Sequence, residues 1–246
     1  MNWKQLISAK RFGMEEFHEE RQENRSEFQR DYDRLIFSAP FRRLQNKTQV
    51  FPLPGSVFVH NRLTHSLEVA SVGRSLGDDV AKALLERHPE LQDSFLPEIG
   101  SIVSAACLAH DLGNPPFGHS GEKAISTFFS EGKGVRLKEK QPNGEQLSPM
   151  EWEDLTHFEG NANAFRILTH QFEGRRKGGF VLTYTTLASI VKYPFSSSLA
   201  GTKSKFGFFV SEEESFQKIA TELGLTLLNE HPLKYARHPL VYLVEA

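Results

Sequence analysis

The stretch HDLGNPPFGHSGE, residues 110–122, places two histidines, an aspartate and a glutamate around a helix break. Gly113 is suited to the position after a helix C-terminus, and the two prolines that follow it cannot continue a helix. The preceding segment, SIVSAACLAH, is rich in small apolar residues at helical spacing. The sequence therefore predicts a helix from about residue 97 to 112, with His110 and Asp111 in its last turn and His110 pointing inward.

A second helix is predicted to begin near Ser120, with Glu122 in its first turn, where the helix dipole favours a carboxylate. His119 and Glu122 lie three residues apart and hence on one face of that helix. Taken alone, they would be an exposed loop histidine and a dipole-stabilising glutamate. Beside a metal ion, they have the chemistry of a general acid–base histidine and the carboxylate that orients it.

The segment from residue 62 to 91 also has apolar residues at helical spacing. We predict that His65 lies on a buried stripe of this helix, which continues through Val69, Val72, Leu76, Val80 and Ala83. His65 and His110 would then be two buried imidazoles, each needing a partner on both ring nitrogens. Backbone carbonyls could supply those partners, so the histidines alone do not decide between a structural role and a metal site.

Asp111 favours the metal site. A buried carboxylate is costly unless it is paired, and a divalent cation would neutralise it while binding the neighbouring imidazole. Mixed imidazole and carboxylate ligands suit Mg, Mn, Co, Ni, Fe or Zn, and three ligands leave positions open for water and substrate. The sequence therefore predicts a divalent metal site formed by His65, His110 and Asp111.

Composition limits the remaining classes of function. Among 246 residues, 29 Lys and Arg nearly balance 31 Asp and Glu, so no overall basic field indicates nucleic acid. The single cysteine, Cys107, excludes a disulfide framework and a cysteine-based zinc site. No window approaches the roughly 18 apolar residues of a membrane span. We expect an all-α, single-domain protein in the cytoplasm, with no membrane partner.

Two segments are expected to stand apart from this domain. Residues 1–35 are predicted to form a charged N-terminal arm or solvated helix, followed by the main domain at 36–246. Residues 131–150 lack periodicity and are predicted to be a mobile surface insertion. Further helices are predicted over 152–171, over 183–192, over 211–223 with a Ser211–Glu214 capping box, and from Pro239.

Six segments resemble the bacterial dGTPase type of deoxynucleoside triphosphate triphosphohydrolase. This group is a branch of the HD-domain metal-dependent phosphohydrolases, whose signature is a histidine followed at a distance by a His-Asp doublet. The resemblance implies a helical HD-domain fold that hydrolyses a deoxynucleoside triphosphate to deoxynucleoside and intact triphosphate. The matching segments, in the order of the family, are RSEFQRDYDRLIFSAPFRRLQNKTQVFPL (25–53), HNRLTHSLEVA (60–70), AHDLGNPPFGHSGE (109–122), HFEGNANAFRIL (157–168), LTYTTLASIVKYP (182–194) and HPLVYLVEA (238–246).

The resemblance also implies roles for side chains outside the metal site. Gln49 matches a residue that holds the sugar, and Lys192 and Tyr193 match a segment that contacts the triphosphate. His157 and Asn161 match another segment that lines the site. Arg62, three residues before His65 on the same helix, is placed to reach a phosphate. A homo-oligomer is implied as well.

In the family, a second aspartate from a later helix completes the metal site. The segment that would lead to it here, HPLVYLVEA, ends at Ala246. We therefore expect an incomplete N-terminal portion that binds metal more weakly than a longer form, with inactivity as one expected outcome. Two alternatives remain open: another HD nucleotidase or phosphodiesterase, and a non-catalytic regulator that binds nucleotides or single-stranded nucleic acid through the basic pieces VRLKEK and GRRKGGF.

Overall fold

The computed structural model describes residues 2–16, 25–47, 61–142, 144–174, 177–201 and 205–246, and within these ranges the fold is helical. Between the helices lie short 3-10 turns and an antiparallel hairpin of β1 (Leu227–Asn229) and β2 (Lys234–Tyr235). The helices are α1 (Trp3–Leu6), α2 (Glu27–Ile36), α3 (Ala39–Arg43), α4 (Arg62–Arg87), α5 (Ile99–Ala109), α6 (His119–Ser130), α7 (Pro149–Thr156), α8 (Gly160–Thr169), α9 (Tyr184–Ile190), α10 (Glu213–Glu222) and α11 (Val241–Glu245).

The all-α prediction is confirmed. The hairpin was not predicted, because its strands have three and two residues and β1 is exposed along its whole length, so neither strand shows the alternation that marks a half-buried strand. In the described part of the chain, no helix has both the length and the apolar character needed to cross a bilayer.

Helix α5 is the centre of the fold, since every one of its residues is buried. The long helix α4 packs against it in the antiparallel direction. A Cβ placed on Gly77 would lie 2.7 Å from the Cα of Gly100, and one placed on Gly73 would lie 2.6 Å from the Sγ of Cys107. This close approach brings the first turn of α4 beside the last turn of α5, where the predicted metal ligands lie.

The buried stripe predicted for α4 is wrong in its phase. Val72 is 60% exposed, and Ala83 is also exposed. The contact with α5 is close enough to require small residues, so the larger apolar side chains lie beside or outside it. The residues that α4 buries are Arg62, Ser66, Ala70, Gly73, Gly77 and Ala81.

The expectation of a solvated helix in the charged N-terminal segment is also wrong. Helix α2 buries Phe28, Asp31 and Leu35 completely. The Asp31 carboxylate accepts hydrogen bonds from Arg11 Nη1 at 2.7 Å and from the backbone N–H of Thr183 at 2.9 Å. One face of α2, which includes Asp31, therefore belongs to the core, while the other charged residues of the helix are partly or fully exposed. Residues 17–24 lie outside the described ranges.

Two further details differ from the sequence prediction. The helix expected over 152–171 is divided into α7 and α8, because the Glu159 side chain caps a new helix by accepting the N–H groups of residues 161 and 162. The capping box of Ser211 and Glu214 is absent from the described α10, whose N-cap is Glu212. Ser211 instead accepts a hydrogen bond from Arg166 and donates one to Glu212.

The segment 131–150 contains a 3-10 turn over Lys133–Lys138 and is exposed along most of its described residues. Its position on the surface agrees with the sequence analysis. Its mobility, and the separation of a main domain at residue 36, stay predictions.

Candidate metal centre

Three side chains from two helix ends form a cluster that could hold a metal ion. His65 lies in the first turn of α4, and His110 and Asp111 follow the last residue of α5. One ligand atom from each of the three lies within 4.8 Å of the others. The two imidazole rings meet edge to face, with their centroids 5.3 Å apart. The helix break thus places the doublet opposite His65.

The His110 ring is oriented for coordination. Its Nδ1 lies 2.6 Å from the backbone carbonyl oxygen of Cys107. Because a carbonyl oxygen can only accept, Nδ1 is the donor of this hydrogen bond, and Nε2 is the ring nitrogen left to face the cluster. That Nε2 lies 3.5 Å from Asp111 Oδ1. A ligating histidine is commonly held in this way, through a hydrogen bond from its second ring nitrogen.

Asp111 supplies the test of whether these residues fit a cation. The residue is buried, and its Oδ2 accepts no hydrogen bond from the described part of the chain, although Arg62 Nη1 lies 2.9 Å away as an ion-pair partner. Burial raises the pKa of Asp111, but His110 and Arg62 outweigh burial and hold this pKa below its usual range. An ionised, incompletely satisfied oxygen beside two imidazoles is a donor set that fits a divalent ion.

The turn after Asp111 is held by the close approach of α8. A Cβ on Gly113 would lie 2.1 Å from the backbone nitrogen of Ala164 and 2.1 Å from the carbonyl oxygen of Gly160. From the other side, Lys47 Nζ donates to the carbonyls of residues 112 and 114 at 3.2 and 3.0 Å. Glycine at 113 is therefore required for packing as well as for ending the helix. Lys47 was not identified from the sequence.

His119 and Glu122 form the hydrogen-bonded pair that the sequence predicted. His119 Nδ1 lies 2.8 Å from Glu122 Oε2, and the His119 side chain is 84% exposed while that of Glu122 is 12% exposed. Glu122 Oε1 accepts the backbone N–H of Gly160 at 2.9 Å. Burial raises the pKa of Glu122, but the hydrogen bonds from His119 and Gly160 and the charge of Lys205 outweigh burial and lower this pKa. Glu122 is thus an ionised acceptor that leaves His119 Nε2 at the surface.

The backbone before His119 is strained. Phe117 and Gly118 both have positive φ, 65° and 55°, and such an angle is uncommon for a residue other than glycine. A Cβ on Gly118 would lie 3.3 Å from Arg62 Nη2. Arg62 therefore lies between Asp111 and the turn that carries His119, so the metal cluster and the His119–Glu122 pair are neighbours.

A second group of charges adjoins this pair. Lys205 Nζ lies 2.7 Å from Glu159 Oε1 and 3.6 Å from Glu122 Oε2. Glu159 also accepts a hydrogen bond from the Asn161 side chain at 2.9 Å. Burial lowers the pKa of Lys205, but Glu159 and Glu122 outweigh burial and raise this pKa. Lys205 was not identified from the sequence.

The structure places Lys192 and Tyr193 just after α9, on one side of this group. Lys192 Nζ lies 2.7 Å from Glu245 Oε1 and 5.6 Å from the centre of the Tyr193 ring. The backbone N–H of Gly207 donates to the carbonyl of Phe195 at 3.1 Å, so the segment that begins at Lys205 runs beside the segment that follows Tyr193.

The other predicted substrate residues have varied surroundings. Arg62 is buried against Asp111 rather than extended into solvent. The His157 ring, at the end of α7, contacts Glu153 on the same helix at 3.1 Å. Asn161 lies in the first turn of α8, beside Glu159. Gln49 lies outside the described residues. The substrate roles of all these residues stay predictions.

Comparison with known proteins agrees with this geometry. The HD domain family matches residues 62–178, which include His65, the His110–Asp111 doublet and the His119–Glu122 pair. A deoxyguanosinetriphosphate triphosphohydrolase-like protein of Synechocystis sp. is 45% identical over 255 aligned residues, covering 100% of this chain and 57% of that protein. One of the same name from Pseudomonas aeruginosa is 46% identical, covering 100% of this chain and 54% of that protein.

A deoxyguanosinetriphosphate triphosphohydrolase of Yersinia enterocolitica is 36% identical over 269 aligned residues, covering 96% of this chain and 51% of that protein. The chain thus spans about half the length of the curated relatives it matches. The HD domain match is confined to residues 62–178, whereas the similarity to proteins named for deoxyguanosinetriphosphate triphosphohydrolase extends along the whole chain.

Proposed function

We propose that this protein hydrolyses deoxynucleoside triphosphates of the dGTP type, giving a deoxynucleoside and inorganic triphosphate. The observation that carries the proposal is the cluster of His65, His110 and Asp111, whose ligand atoms lie within 4.8 Å of one another. Beside it, the His119–Glu122 pair offers an exposed ring nitrogen. The names of the relatives supply the class of substrate.

His65, His110 and Asp111 would hold the divalent ion. When bound, such an ion polarises a phosphoryl oxygen and lowers the pKa of a bound water. The chain's own contribution is orientation: the Cys107 carbonyl fixes the His110 tautomer, and Arg62 and the side chain of Asn114 hold the Asp111 carboxylate.

In the proposed reaction, a water oxygen bonds to the α-phosphorus and the bond from this phosphorus to the 5′ oxygen breaks. The water loses a proton and the 5′ oxygen gains one, so the deoxynucleoside leaves with a neutral hydroxyl. His119 Nε2 transfers the proton, because Glu122 accepts the hydrogen bond of Nδ1 and the ring is 84% exposed. Glu122 stays ionised and stabilises the imidazolium form.

Charge on the triphosphate would be neutralised by Arg62 and Lys192. Lys192 would exchange its Glu245 partner for a phosphate oxygen. Tyr193, His157 and Asn161 would line the same pocket, and Gln49 would hold the sugar. A cytoplasmic location and a homo-oligomeric assembly belong to the same proposal, the first supported by the free thiol of Cys107.

The test is a product analysis with each of the four deoxynucleoside triphosphates and Mn²⁺ or Mg²⁺. We expect ³¹P NMR to show inorganic triphosphate, with no pyrophosphate formed alongside it. Isothermal titration with Mn²⁺ alone, on wild type and His110→Ala, separates metal binding from turnover. Pyrophosphate and a monophosphate as products would contradict the proposed bond cleavage and favour another HD phosphohydrolase. Nucleotide binding without turnover, by a form extended to the length of the relatives, would favour the non-catalytic regulator.

A further inference from the structure

Lys205 is the one cation of the described chain that is paired with both Glu122 and Glu159. Its Nζ lies 2.7 Å from Glu159 Oε1 and 3.6 Å from Glu122 Oε2. The Lys205 side chain is 26% exposed, so solvent screens these interactions less than it would at the surface.

Both oxygens of Glu122 have a defined task. Oε2 accepts from His119 Nδ1 at 2.8 Å, and Oε1 accepts from the Gly160 backbone at 2.9 Å. Lys205 faces Oε2, the same oxygen that orients His119. A positive charge at this point opposes rotation of the carboxylate away from the imidazole.

Glu159 is nearly fully buried, at 1% exposure of its side chain. It caps α8 by accepting the backbone N–H groups of Asn161 and Ala162, and it also accepts from the Asn161 side chain. A buried carboxylate needs a cation, and Lys205 supplies it. Lys205 thereby connects the first turn of α6, which carries the His119–Glu122 pair, to the first turn of α8, which carries Asn161.

We propose that Lys205 is a positioning residue, which bridges Glu122 and Glu159 and so fixes the His119 imidazole relative to the substrate-lining end of α8. The consequence for turnover rests on the proposed function, whereas the bridge itself does not. Lys205 would touch neither the reacting atoms nor the metal, and would act through Glu122.

The experiment compares Lys205→Met and Lys205→Arg with the wild type. Lys218→Met is the matched control. Lys218 lies on α10, and its Nζ also lies 2.7 Å from a carboxylate, but this carboxylate belongs to Glu15. The readouts are kcat and KM for dGTP, and the ¹⁵N resonances of the His119 ring in histidine-labelled protein, assigned with His119→Gln.

We expect Lys205→Met to lower kcat about 10- to 100-fold, with a smaller change in KM, as for a misplaced general acid–base group. Its His119 nitrogens should shift from the Nδ1-protonated tautomer toward a mixture. Lys205→Arg should keep kcat and the His119 ring resonances close to their wild-type values, because the guanidinium can also bridge two carboxylates. Lys218→Met should change neither.

If Lys205→Met changes only thermal stability, with wild-type His119 resonances and kcat, the proposal is overturned. Should that variant not fold, Lys205→Gln keeps a hydrogen-bond donor without the charge, and unchanged His119 resonances in it would overturn the proposal equally. A wild type that hydrolyses no nucleotide, but whose His119 resonances still depend on Lys205, would reject the proposed function and support the bridge.

Discussion

At the scale of single residues, the Asp111 carboxylate forms a buried ion pair with Arg62 at the candidate metal site. Its side chain is 6% exposed and so is that of Arg62, its ion-pair partner. A buried pair of this kind gains little over apolar residues, but breaking it leaves an uncompensated charge. Asp111 therefore serves two purposes, as a candidate metal ligand and as the counter-charge that keeps Arg62 inside.

Asp111→Asn tests both purposes. We expect the affinity for Mn²⁺, measured by isothermal titration, to fall at least about tenfold. Mutating a residue that only hydrogen-bonds to a metal ligand already lowers metal affinity by about this factor, and Asp111 is a candidate ligand itself. We also expect the free energy of unfolding in urea to fall by about 3–5 kcal/mol, because Arg62 loses its buried partner. Asp93→Asn, at an exposed position, is the control and should change neither quantity. Unaltered Mn²⁺ affinity in Asp111→Asn would refute the ligand assignment.

Glu122→Gln tests the second carboxylate through pH. The folded-state pKa of Glu122 is lowered, so its contribution to stability is present above the unfolded pKa and is lost as pH falls through the folded pKa. The difference in unfolding free energy between wild type and Glu122→Gln should therefore be largest near pH 7 and shrink at strongly acidic pH. Chemical denaturation at several pH values measures it. Glu131→Gln, exposed at the end of the same helix, should show no such trend.

At the scale of elements, the contact of α4 with α5 decides whether the metal ligands meet. His65 and His110 belong to different helices, and glycines at the crossing set how far apart the helix axes lie. If a methyl group replaced the glycine hydrogen at the crossing, the two helices would be pushed apart, and the two imidazoles would move apart with them. The geometry of the site thus depends on glycines that lie about two to three turns further along α4.

Gly77→Ala separates this effect from helix propensity. Alanine stabilises an isolated helix by about 1 kcal/mol relative to glycine, yet its Cβ would lie 2.7 Å from the backbone of Gly100. We expect a net loss of stability, since overpacking costs about 1–3 kcal/mol, together with weaker Mn²⁺ binding. Thermal unfolding and titration measure the two effects. Ser75→Ala, exposed on the same helix, is the control, and a gain in stability for Gly77→Ala would show that the helices can part freely.

At the scale of the whole molecule, the sequence predicts features that depend on neighbouring residues and misses those that depend on distant ones. Gly113 and the prolines after it locate the helix break, so the placement of His110 and Asp111 could be predicted. Lys205 could not be, because its partners lie on α6 and α8 and only the folded chain brings them together. Ser211 failed as a helix cap for the same reason: Arg166, from α8, competes for its hydroxyl.

The ends of the chain are also joined. His238, just before α11, is 1% exposed. Its Nε2 donates to the carbonyl of Leu6 at 3.0 Å, and its Nδ1 accepts from the N–H of Leu240. Burial lowers the pKa of His238 to about 4, so the neutral ring holds the first and last helices together.

Acid should loosen this junction. A histidine whose folded pKa is lowered binds fewer protons in the folded than in the unfolded state, so stability falls as pH decreases from about 6.5 to about 4. The expected loss over this window is about 3 kcal/mol. His238→Gln should flatten the pH dependence of the unfolding free energy in this range, and His88→Gln, at an exposed position, should not. If the unfolding free energy of His238→Gln still fell steeply between these pH values, other titrating groups would be responsible for the pH dependence.

The thiol of Cys107 lies where α4 crosses α5, one helical turn before His110, and its burial raises its pKa to about 12. Almost none of it is thiolate at neutral pH, so an alkylating reagent can modify it only when the two helices separate. As the single cysteine of the chain, it makes the modification rate a direct measure of how often the site opens. Divalent ions that bind the folded site should slow this rate in proportion to their occupancy, so the affinity of each ion can be ranked without substrate, turnover or an introduced probe.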